Sequence, residues 1–124
     1  MVRGYQELMV WKKAMRLVVA VYEATATMPK EEIYGLTSQL RRAAVSVPSN
    51  IAEGQSRLTR GEFRQFLGMA RGSLAELETQ VILAKELGFV IDSLPLLDQI
   101  GEVGRMLNGL LTAITRDKPT DTAS

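Results

Sequence analysis

The stretch Gln39-Leu-Arg-Arg-Ala-Ala-Val-Ser-Val-Pro-Ser-Asn-Ile-Ala-Glu-Gly54 limits what this chain can fold into more than any other. Leu36, Leu40, Ala43, Val47 and Ile51 recur at spacings of three and four, which predicts a helix with one apolar face. Pro48 falls inside that pattern. A proline there removes a backbone donor and crowds the carbonyl of Ala44, at about 3 kcal/mol in a helix interior. The spacing therefore predicts a helix over 36–55 that kinks or restarts at Pro48. Ser46, Ser49 and Asn50 are the candidates to satisfy the freed backbone groups, and Gly54 is the expected left-handed stop.

RRAAVSVPSNIAEG is followed by an arginine, by Glu62-Phe63 and by Ala70-Arg-Gly-Ser-Leu-Ala-Glu-Leu-Glu78. These two motifs resemble a family of small bacterial four-helix-bundle proteins. The family includes proteins encoded within intervening sequences of 23S ribosomal RNA genes and the accessory protein of diversity-generating retroelements. The resemblance runs from about Leu8 to Leu111. It implies a bundle that closes into a ring, typically a homopentamer, with no enzyme activity. For the accessory protein it implies binding of nucleic acid and of a reverse transcriptase. Arg41, Arg42, Pro48, Asn50, Glu53 and Gly54 are the motif positions expected to serve the structure.

The rest of the chain reads as three more helices. Leu8, Trp11, Met15, Val18, Tyr22 and Thr25 form a stripe at helical spacing, widened by Ala14, Leu17 and Val21. Met28-Pro29 ends this first helix, and Gly35 is the expected turn residue before the second. Thr59 and Glu62 read as a capping box opening a third helix that extends to about Leu87, with Gly88 at the left-handed position beyond it. Leu67, Ala70, Leu74, Leu77, Val81 and Ala84 make its seam. Asp92 or Ser93 caps the fourth helix, along which Leu96, Ile100, Val103, Leu107, Leu110 and Ile114 step by four and three. Gly101, Gly104 and Gly109 suggest close approach of another helix. The expected fold is all-α, an antiparallel up-down-up-down four-helix bundle over residues 1–116 with a kinked second helix, followed by a flexible tail over 117–124.

Composition removes whole classes of chemistry. The chain has no histidine and no cysteine, so the commonest general base, the commonest metal ligand and all thiol chemistry are missing. Ser46, Ser49 and Ser73 have no histidine to activate them, and Glu76 and Glu78, two apart, face different directions on a helix. No glycine spacing matches a phosphate loop. The expectation is a non-enzymatic protein without cofactor or metal. The longest apolar run, Leu17 to Tyr22, is far short of a membrane span, and no signal peptide is apparent, so a cytoplasmic protein is expected.

Net charge is only +1, so the layout of charge has to carry the functional argument. In an up-down-up-down bundle one end would gather Arg3, Lys12, Lys13, Arg16, Arg57, Arg60, Arg64, Arg116 and Lys118 against Glu7, Glu53, Glu62, Asp117 and Asp121. The other end would hold Lys30 and Lys85 against Glu31, Glu32, Glu86, Asp92 and Asp98. A ring would repeat the basic end once per subunit. Lys12, Lys13, Arg16, Arg57, Arg60 and Arg64 are therefore the candidate nucleic-acid-binding residues, taking RNA or DNA through the phosphate backbone. Arg41 and Arg42 lie too far from that end and are expected to pair with Glu76 or Glu78, within a subunit or across an interface. The competing expectation is an oligomeric protein-binding scaffold that makes no contact with nucleic acid.

Overall fold

The computed structural model describes residues 4–89 and 91–116; Arg3, the side chains of Glu7 and Arg116, and the tail over 117–124 with its charges lie outside that set. Four helices account for nearly all of it: α1 (Met9–Thr25), α2 (Leu36–Gln55), α3 (Arg60–Glu86) and α4 (Ser93–Arg116). Short 3₁₀ turns precede α1 at Gly4–Glu7 and link α1 to α2 at Lys30–Glu32. There is no strand among the described residues. Each helix packs on the next, and α4 returns to α1, so the four enclose one core.

The core follows the apolar spacing closely in three helices. Every expected seam residue of α3, from Leu67 to Ala84, is buried, and so are Leu36, Leu40, Ala43, Val47 and Ile51 of α2. Leu96, Ile100, Val103 and Leu107 of α4 are buried, while Leu110 and Ile114 pack at its margin. In α1 the stripe is turned. Val10, Ala14, Leu17, Val21 and Thr25 face inward. Met15 and Tyr22, expected in the core, are 42% and 44% exposed, and Trp11 and Val18 are only partly covered. The helix carries two apolar stripes. The inward one is made of smaller side chains, which let the helix axes approach.

Two special positions in α2 bear on the expected break and stop: the helix continues through Pro48, and Gly54 does not end it. The helix neither stops nor restarts at Pro48, which is buried inside it. Spanning it, the Asn50 side-chain amide donates to the Ser46 carbonyl at 2.9 Å and to Ser46 Oγ at 3.0 Å. Ser46 Oγ in turn lies 2.8 Å from Ser73 Oγ on α3. This half-buried polar cluster lashes the middle of α2 to α3. Gly54 is not a left-handed stop: it is helical and buried, and the positive-φ glycines are Gly4 and Gly88. Its role is contact. A Cβ built on Gly54 would stand 2.7 Å from Phe66 Cβ and 3.1 Å from Phe63 Cδ1.

The helix ends explain why the chain turns where it does. Thr59 Oγ1 accepts from the Glu62 amide at 3.1 Å and donates to the Glu62 carboxylate at 3.1 Å, so the Thr–Glu pair closes through the hydroxyl. Gly88, at φ +80°, ends α3 as expected. At the start of α2 the cap is unexpected: Glu32 Oε1 accepts from the Leu36 amide at 3.0 Å. A Cβ on Gly35 would stand 2.8 Å from that oxygen, so a side chain there would displace the capping carboxylate. Among the α4 glycines, Gly104 meets α3, with Leu74 Cδ2 3.4 Å from a built Cβ.

Two substitutions test this packing. Gly54→Ala should destabilise the fold by about 1–3 kcal/mol, because neither phenylalanine can move without opening the α2–α3 contact. Thr37 is 2% exposed and its hydroxyl has no hydrogen-bond partner among the described residues. Thr37→Val should therefore raise stability by about 1 kcal/mol. Urea unfolding of each variant reads both effects; an unchanged midpoint for Gly54→Ala would show that the contact relaxes freely.

Candidate nucleic-acid interface

The six basic candidates do not form one cluster. Lys13 Nζ sits 3.1 Å from Glu102 on α4, whereas Arg64 Nε donates to Thr115 Oγ1, further along the same helix, at 3.2 Å. Thirteen residues of α4 separate these partners, which is about 20 Å along its axis. The cause is that α1 and α3 each pack on α2 and α4 rather than on each other. Leu74 packs near Gly104, and Arg71 and Arg64 reach Asn108 and Thr115, so the start of α3 lies beside the end of α4. The start of α1 lies beside the middle of α4, and Lys12, Lys13 and Arg16 are left in a separate group.

The α3 group is the better built of the two. Arg57 Nη2 is 2.8 Å from the Glu53 carboxylate, and its guanidinium stacks 4.8 Å over the Phe66 ring. Glu53 thus holds Arg57 in place. Arg60, Arg64 and Arg71 lie at positions i, i+4 and i+11 of α3, within about 40° of one another around the helix. All three are exposed, and the row spans about 16 Å of the helix. Arg71 Nη1 donates to Asn108 Oδ1 at 3.0 Å. Between α3 and α4 runs an open cleft of about 490 Å³ lined by Arg71, Asn108, Leu111, Thr112 and Thr115, with Arg64 bonded to Thr115 at its rim.

Sequence reasoning missed Arg71. It stands inside the second motif, and its spacing from Arg60 and Arg64 was the signal that puts it on their face. Arg41 and Arg42 also depart from expectation. Arg41 Nε donates to Thr25 Oγ1 at 2.9 Å, and its guanidinium covers the Tyr22 ring at 4.7 Å. Within the chain it projects from the α1 side of α2, away from Glu76 and Glu78 on α3. Arg42 is exposed and borders a small cleft with Gln39, Ser46 and Glu76, without an ion pair among the described residues.

An arginine row above a floor of hydroxyl and amide groups can hold phosphate oxygens through charge-assisted hydrogen bonds. It offers no nucleophile–base pair. Among the described residues no cluster of carboxylates is placed to hold a metal ion, and no helix is long and apolar enough to cross a membrane. No curated protein matches the chain. The family model for the 23S rRNA-intervening sequence protein matches residues 6–109, a span that takes in both motifs and, of the cleft lining, Arg71 and Asn108, and the chain belongs to that family.

Proposed function

We propose that this protein is a non-enzymatic, homo-oligomeric helical bundle that binds nucleic acid, foremost RNA or an RNA–protein complex, in the cytoplasm. The single observation that carries the binding is the row of Arg60, Arg64 and Arg71 beside the α3–α4 cleft. Two of these guanidiniums are already oriented by Thr115 and Asn108. The binding is to the phosphate backbone and is therefore indifferent to sequence. Lys12 and Arg16, exposed on α1, form a second and more diffuse basic surface.

The helices follow an antiparallel up-down-up-down course, with a bend at Pro48. The pairings of Arg64 with Thr115 and Arg71 with Asn108 support it for α3 and α4. The pairings of Ser46 with Ser73 and Gly54 with Phe66 support it for α2 and α3. Assembly, with a pentameric ring as the expected form, is supported by the half-exposed apolar stripe on α1. A ring repeats the arginine row once per subunit on one face, and a modest patch becomes a strong one. A reverse transcriptase, as bound by the retroelement accessory protein, is a partner of the same kind.

Changing Arg60, Arg64 and Arg71 together to glutamine should weaken binding to a single-stranded RNA while leaving helix content and particle mass unchanged. Three lost phosphate contacts should lower the steepness of log K against log salt by about 2. Fluorescence anisotropy across a salt series measures this. Undiminished binding would move the interface off the α3–α4 cleft. Absence of binding by the parent protein at low salt would favour the protein-scaffold reading.

A further inference from the structure

The two flanks of α1 are unlike each other and fit one another. On the α2 side, Trp11, Met15, Val18 and Tyr22 repeat at coiled-coil spacing, yet the fold leaves Met15 and Tyr22 more than two-fifths exposed. A seam of this period calls for a helix to cover it. The cleft beside it, about 460 Å³, is bordered by Tyr22, Arg41, Arg42 and Val45, so this flank is bulky, apolar and basic. On the α4 side, Ala20 and Ala24 border a second groove of about 480 Å³, edged by Glu23 and Asp92. That flank has small side chains and carries negative charge. Glu23, Asp92 and Arg42 are all exposed, and none has an ion-pair partner among the described residues.

We infer that the seam of one copy docks into the Ala20–Ala24 groove of the next, with Arg42 facing the carboxylates of Glu23 and Asp92. The inference rests on the assembly proposed above and names its surfaces. Large side chains meet small ones, and cations meet anions, which is the complementarity that orients partners and rejects wrong ones. Tyr22 and Ala24 are two residues apart and so lie about 160° from each other around the helix. The contact therefore joins two different faces. A contact of that kind runs head to tail, and it closes into a ring when the rotation between copies permits.

Light scattering of the full chain tests this against its 13.7 kDa mass. Met15→Glu and Arg42→Glu should each raise the concentration needed for assembly at least tenfold, with helix content unchanged by circular dichroism. Glu23→Arg should do the same alone, and the double variant Arg42→Glu/Glu23→Arg should return to the parent mass. A parent that assembles while Met15→Glu and Arg42→Glu leave its mass unchanged overturns this interface and spares the assembly reading. Single reversals that are not rescued in the double variant also overturn it. So does loss of assembly in Leu87→Glu alone, which would place the contact at the α3–α4 turn. A parent that is monomeric throughout overturns both readings.

Discussion

The close approach of α2 to α3 is the contact on which the rest of the bundle depends. Where α2 ends, the backbone at Gly54 lies against Phe63 and Phe66, and any side chain there would enter the space they occupy. Two turns earlier, Ser46 and Ser73 share a hydrogen bond, and Asn50 braces Ser46. A small contact and a polar contact on one helix pair fix both the distance and the register. Apolar packing alone specifies register weakly, whereas a half-buried hydroxyl pair is satisfied in only one alignment. With α2 and α3 locked, the first turn of α3 is fixed in space, and Thr59, the last residue of the four-residue link, caps it.

This contact also accounts for the composition of the motif. Pro48 is buried and contributes apolar surface to a helix that runs through it unbroken. Removing its donor costs one backbone bond, and the Asn50 side chain supplies an additional donor to the same turn. Of the two residues that break helical rules, Gly54 stands where the backbone of α2 lies against Phe63 and Phe66 of α3. Conflict between local preference and global fit is tolerated where packing over-determines the backbone.

The seams of α2, α3 and α4 were legible in the sequence because each has one unbroken apolar stripe, and a single stripe has only one way to face a core. α1 has two. The stripe through Met15 and Tyr22 and the stripe through Ala14, Leu17 and Val21 are equally periodic, and only the tertiary packing decides between them. Gly54 was misread for a related reason: a glycine near a helix end signals either a left-handed stop or a tight contact, and the partner that decides, Phe66, lies on another helix. The candidate site suffered from the assumption that helices sharing an end also share a surface. α1 and α3 each pack on α2 and α4 rather than on each other, so the lysines of α1 and the arginines of α3 are held apart. The row containing Arg71 was readable from spacing on one helix, which the arrangement of the others does not affect.

That row differs from an ordinary charged surface in how its members are held. Free arginine side chains lose rotamer entropy when they grip a ligand, at up to about 2 kcal/mol each. Arg64 and Arg71 are already directed by Thr115 and Asn108, and Arg57 by Glu53 and Phe66. Thr115 and Asn108 are neutral and each takes a single guanidinium donor, so Arg64 and Arg71 keep donors to spare for a phosphate. Lys12 and Arg16 have no such support among the described residues. Where both groups meet the same polyanion, the smaller ordering cost favours the arginine row. The binding surface therefore rests on α3 and α4 together, because the side chains that aim Arg64 and Arg71 belong to α4.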